Sequence, residues 1–143
     1  MTEQIPKLDI PTLNFLLKII EEESNELIEK VYSNVKYGEL SLSVCYYTKE
    51  RGVAELKTEV QNLLDAHYEG KRGRRSQALN QDVATLEYVY DIASRKIEKH
   101  TPTMQELFKK EEGMAAMTIH YRIEGFRHIT RRINSVIKEQ MEA

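Results

Sequence analysis

The chain has 143 residues, a formal net charge of −2 and no tryptophan. That length implies one domain, 1–143, with a core large enough to fold without a metal or a disulfide. Six glycines and three prolines are too few for a many-turned β protein. The acidic balance excludes a surface that is basic throughout, and the single Cys45 excludes an intramolecular disulfide.

Residues 1–9 are polar and read as flexible. Asp9 is a candidate N-cap, with Pro11 in the first turn. A helix is expected from there to about Asn34. Its seam of Leu13, Leu17, Ile20, Ser24, Leu27 and Val31 is spaced alternately by four and three residues. Glu21, Glu22, Glu23, Glu26 and Glu29 read as a solvated acidic face.

Residues 35–39 read as a connection. From Leu40 the chain supports two templates. Strict alternation over 40–47 fits a short strand, whereas Leu42, Tyr46, Lys49, Val53, Leu56, Val60 and Leu63 keep helical spacing much further. One helix from about 40 to 69 is the expectation, with a strand near 40–47 as the alternative. Gly52 weakens that helix by up to ~1 kcal/mol relative to alanine.

Gly70–Arg75 (GKRGRR) reads as a flexible basic loop, and Ser76 as the cap of a third long helix running to about His100. Its seam is Leu79, Val83, Leu86, Tyr90, Ala93 and Ile97. Thr101 and Pro102 read as its stop, and Thr103-x-x-Glu106 as a capping box opening a short helix to about Glu112. The last helix covers Met114–Met141. Ala116, Ile119, Ile123, Phe126, Ile133 and Ile137 line one face, and His120, Arg127, His128, Arg131 and Arg132 the other. The expected fold is all-α: a bundle of four long amphipathic helices plus one short helix, with coiled-coil-like packing and no internal repeat.

No catalytic constellation is evident. A di-iron bundle needs Glu-x-x-His pairs, and none occurs. Magnesium-dependent helical pyrophosphatases need facing acid pairs. Glu22, Glu23 and Glu26 supply one half, but Asn62 interrupts the other half at Glu55 and Glu59. We therefore expect no metal and no cofactor. Arg95 to His100 and Arg122 to His128 resemble the Arg-x4–6-His ribonuclease motif of HEPN domains, small helical bundles that pair the motif across a dimer. That resemblance, confined to a few residues, implies a His acid/base at a 2′-hydroxyl and an Arg on the phosphate.

The stronger lead is basic. Residues 1–35 hold three lysines against seven acids, whereas residues 36–77 hold eight basic groups against six. Lys71, Arg72, Arg74 and Arg75 in the loop, with Arg127, His128, Arg131 and Arg132 on the last helix, are the expected anion-binding residues. The expected partners are nucleic acid, a nucleotide or an acidic protein surface, together with further copies of the chain as a dimer or higher homo-oligomer. No membrane partner is expected. No segment approaches the ~20 apolar residues of a membrane span. The first ten residues lack the regions of a secretory signal, so the expected location is cytoplasmic.

Overall fold

The structure, a computed structural model, describes residues 7–67 and 81–142. They form four helices: α1 (Ile10–Lys36), α2 (Leu40–His67), α3 (Val83–Lys109) and α4 (Gly113–Glu142). No strand occurs among the described residues, and no helix among them is long and apolar enough to cross a membrane.

Helix α1 starts as its sequence dictates. Asp9 Oδ2 accepts from the backbone N–H of Thr12 at 3.1 Å and from its hydroxyl at 2.6 Å, satisfying an orphan donor of the first turn. Asp82 does the same for Thr85 at the start of α3, with the same two distances. The two caps also hold each other. The Asp9 N–H donates to Thr85 Oγ1 at 2.9 Å, and the Asp82 N–H to Thr12 Oγ1 at 2.8 Å.

This reciprocity extends through the molecule. Helix α1 packs against α2, and α3 against α4, as two antiparallel hairpins; α2 then packs on α4. Each element of the second hairpin begins 73 positions after its counterpart, Ile10 matching Val83 and Leu40 matching Gly113. The turns match too. Gly38 has φ 78°, and Glu111, in the same place, has φ 60°. Both turns close with the paired bonds of a Schellman motif: Gly38 N–H to Val35 O and Glu39 N–H to Asn34 O, then Glu111 N–H to Phe108 O and Glu112 N–H to Leu107 O. The chain is therefore one helical hairpin used twice, contrary to the expectation of no internal repeat. Few side chains coincide: Asp9 with Asp82, Thr12 with Thr85, Leu13 with Leu86, Ile19 with Ile92, Lys36 with Lys109, Glu39 with Glu112 and Gly52 with Gly125.

The last pair marks where the hairpins meet. A Cβ on Gly52 would lie 2.4 Å from Arg122 O, and one on Gly125 2.2 Å from Lys49 O. The α2 and α4 backbones touch at this crossing, so the helical glycine that looks like a defect in the sequence is what permits the interface. Around the crossing Leu56, Val60, Phe126, Ile129 and Ile133 are fully buried, continuous with Leu13, Leu16, Leu86 and Val89. Each such side chain contributes roughly 1.5–3 kcal/mol of burial.

The helix expected from Leu40 forms, and its strand alternative and two further expectations are corrected. No strand forms at 40–47, which is the first part of α2. There the buried residues are Ser43 and Glu50, one place along from the expected Leu42 and Lys49. The Ser43 hydroxyl donates to Val31 O at 2.9 Å, and Ser24, the polar break in the α1 seam, donates to Glu50 Oε1 at 2.8 Å. These polar contacts set the register and turn Leu40, Leu42 and Val44 outward. The fifth, short helix does not exist separately, because α3 runs through Pro102 to Lys109. The Thr101 hydroxyl takes up Ile97 O at 2.6 Å beside the site where proline removes a backbone donor. Finally, the seams are wider than the narrow a/d reading. Leu16, Ile19 and Glu23 are buried in α1, and Val89 is buried in place of the exposed Tyr90. Ser76, Leu79 and loop 70–75 lie outside the described residues.

Candidate functional site

The doubled hairpin creates two equivalent charged positions beside the crossing. In one, α1 presents Glu23 to α4. The Glu23 side chain is only 5% exposed. Its Oε2 meets His128 Nε2 at 2.5 Å, and its Oε1 accepts from Arg132 Nη1 at 2.5 Å. In the other, α3 presents Lys96 to α2, where its Nζ lies 2.9 Å from Glu55 Oε1 and 3.1 Å from Glu59 Oε1. Glu23, His128 and Arg132 correspond under the 73-residue shift to Lys96, Glu55 and Glu59. The second cluster has a base where the first has an acid, and acids where the first has bases. Burial pulls the Lys96 pKa down, but the Glu55 and Glu59 carboxylates more than offset it and hold the ammonium above the usual lysine value.

The expected anion-binding face on α4 is therefore engaged with acids of its own chain. His128 and Arg132 serve Glu23, and Arg132 also approaches Glu22 at 3.5 Å. Arg127 donates to Glu124 at 2.9 Å, and Arg131 lies 3.9 Å from the same carboxylate. Arg131, with 68% of its side chain exposed, is the most accessible of the four. His120 has no ion-pair partner among the described residues and packs edge-on against Tyr121, ring centroids 5.2 Å apart. Lys71, Arg72, Arg74 and Arg75 lie outside the described residues.

The two Arg–His motifs do not close on themselves. Five residues of helix separate the directions of Arg95 and His100 by about 140°. Arg95 is exposed and reaches Asp91 at 4.0 Å, while His100 stacks on Phe126 with ring centroids 6.1 Å apart. Arg122 lies 3.9 Å from Glu55, on the opposite side of the bundle from the His128–Glu23 contact. Burial lowers the His100 pKa, Glu55 raises it in part, and Arg122, Lys99 and Lys96 lower it further, leaving it below the ordinary value.

The acid pairs weighed for magnesium are likewise neutralised, Glu22 and Glu23 by Arg132 and His128, Glu55 and Glu59 by Lys96. Among the described residues no group of three His, Cys, Asp or Glu side chains could hold a metal ion.

Two open clefts flank the crossing. One of about 360 Å³ is lined by Arg51, Glu55, Thr58, Glu59 and Arg122. The other, of about 340 Å³, lies between the N-terminal halves of α2 and α4 and holds Cys45, Tyr46, Lys49, His120 and Tyr121. Sequence reading missed three participants: Glu23 as a buried acid, Lys96 as its inverted counterpart, and Lys49. The shared 73-residue spacing of the Asp-x-x-Thr-Leu starts and of Gly52 and Gly125 is the signal that could have found them. In comparison with known proteins, no family model, no curated sequence and no solved structure matches this chain.

Proposed function

We propose that the chain is a non-enzymatic helical interaction protein that self-associates and binds an anionic partner: nucleic acid, a nucleotide or an acidic protein surface. The observation that carries this reading is the apolar surface at the hairpin tips. Tyr32, Val35, Tyr37, Leu40, Val44 and Tyr47 are all exposed around the α1–α2 turn, and Met114, 89% exposed, opens α4. Apolar side chains concentrated in this way mark contact surfaces rather than ordinary solvated helix. They follow from the register of α2, which places Ser43 inside and its apolar neighbours outside.

The anionic partner is assigned to Arg127 and Arg131, with the basic loop Lys71, Arg72, Arg74 and Arg75, while His128 and Arg132 hold Glu23 in place. An exposed pair such as Arg131–Glu124 is worth about 0–1 kcal/mol, so a phosphate can replace the carboxylate at little cost. Two measurements test the proposal. Sedimentation velocity across a concentration series should show dimers or larger species, and Leu40→Glu with Val44→Glu should return the chain to monomer. A monomer at every concentration refutes self-association. Titration with RNA, DNA and nucleotides should show affinity falling steeply with salt; no binding at low salt refutes the anionic partner.

A second reading, a HEPN-like ribonuclease or other nucleotide-directed enzyme, is favoured by one observation. Burial, with Arg122 across the α3–α4 packing, leaves His100 below its ordinary pKa despite Glu55, so an imidazole of lowered basicity stands near an arginine. RNA cleavage abolished by His100→Ala would support it, and no cleavage by the native chain would end it.

A further inference from the structure

We infer that the cleft between the N-terminal halves of α2 and α4 is a binding site for a small aromatic anion, with Lys49 as its charge anchor. This inference rests on the reading that the partner is anionic, and it places the anion on a cation that the fold leaves unsatisfied. Lys49 is half-buried. It makes no hydrogen bond or ion pair among the described residues, in contrast to Lys96, Arg127, Arg131 and Arg132, which all have carboxylate partners.

The doubled hairpin explains why. Under the 73-residue shift Lys49 corresponds to Arg122, which lies 3.9 Å from Glu55. The position equivalent to Glu55 is His128, which is committed to Glu23. Reversing the sign of the cluster has removed the acid that would have paired with Lys49. Glu124 also lines the cleft, but Arg127 and Arg131 hold it at 2.9 and 3.9 Å. Lys49 has no counter-charge among the described residues, and an anionic ligand in the cleft supplies one.

The walls fix the rest of the ligand. Leu42, Tyr46 and Tyr121 supply apolar and aromatic surface, and His120 a second polar group. Lys30, outside the cleft, lies 5.4 Å from the Tyr46 ring centroid. The Cys45 thiol beside it holds the Tyr121 pKa above the usual tyrosine value. The volume, about 340 Å³, is at the small end of ligand pockets. A single ring carrying one phosphate or carboxylate fits these walls. The equivalent positions in the other hairpin replace Cys45, Tyr46 and Lys49 by Thr118, Ile119 and Arg122, so the cleft is not a by-product of the repeat.

The test is a nuclear magnetic resonance titration of the full chain with phenyl phosphate, using phenol as the neutral analogue. Saturable shifts at Cys45, Lys49, His120 and Tyr121 are expected. Binding should weaken about tenfold in Lys49→Met, consistent with loss of one charge-assisted contact, while the melting temperature is unchanged. Phenol should bind about tenfold more weakly than phenyl phosphate for the same reason. No saturable shift at these residues, or equal affinity in Lys49→Met, overturns the inference. Shifts confined to Arg127 and Arg131 overturn it while leaving the anionic-partner reading intact. No response to phenyl phosphate, nucleotide or RNA removes both.

Discussion

The Glu23 and Lys96 clusters occupy equivalent places in the two hairpins and meet the same packing demand with opposite charges. In each, the outer helix sends one long ionisable side chain into the groove beside the Gly52–Gly125 crossing, and the inner helix of the other hairpin answers with two groups four residues apart. The comparison shows what the geometry dictates and what it leaves free. It demands a neutralised pair at that site but not a particular sign. The choice of sign has a consequence for partner selection. A first hairpin facing a copy of itself would set Glu23 against Glu55 and Glu59, and a second would set Lys96 against His128 and Arg132. The inversion therefore favours the pairing of unlike halves through like-charge repulsion in the alternatives.

The largest effects should come from the crossing and from the more deeply buried cluster. Gly125→Ala should cost about 3 kcal/mol, because the new methyl meets backbone rather than a movable side chain. The ~1 kcal/mol that alanine adds in helix propensity is not enough to offset this. A denaturation midpoint at or above that of the native chain would contradict the close approach of α2 and α4. Glu23→Lys should cost a similar amount, about 3 kcal/mol, by placing an unpaired cation against His128 and Arg132.

A smaller effect separates the two turns. Gly38 adopts its positive φ without strain, whereas Glu111 holds the same conformation with a side chain. Glu111→Gly should stabilise the chain and Gly38→Ala destabilise it, each by about 1 kcal/mol. Responses of the same sign at the two positions would mean that the turns are not equivalent. The smallest effect concerns pH. His100 stands where the first hairpin has the buried Leu27, and its folded pKa is below the ordinary 6.5. The unfolded chain thus binds the proton more readily. His100 should contribute stability above about pH 6.5 that is lost as pH falls through the lowered value. Thermal melts of native and His100→Leu chains should diverge only on that acid side.

Much of the architecture was legible in the sequence. The four long helices follow from apolar spacing, and the Asp9 cap from residue type. Boundaries failed where a local signal was overridden. Pro102 reads as a stop, but α3 continues through it to Lys109. The register of α2 failed because Ser43 and Glu50 find hydrogen-bond partners across the hairpin, which no hydropathy pattern reveals. The repeat was hidden because packing conserves volume and compensation rather than identity. Glu23 looks like one of several solvated acids, and only the opposing His128 and Arg132, more than a hundred residues away, make it a buried one. The basic face of α4 was legible as a stripe of residue types. The acids that engage it come from α1 and from α4 itself, and the cleft at Lys49 exists only once the two hairpins are assembled.

The claim that the two hairpins are one device with inverted charges has a direct test. Glu23→Lys combined with His128→Glu and Arg132→Glu should rebuild the Lys96 arrangement at the Glu23 position. In chemical denaturation the triple variant should recover most of the stability lost in Glu23→Lys alone. A triple variant no more stable than the single one would contradict the equivalence of the two clusters.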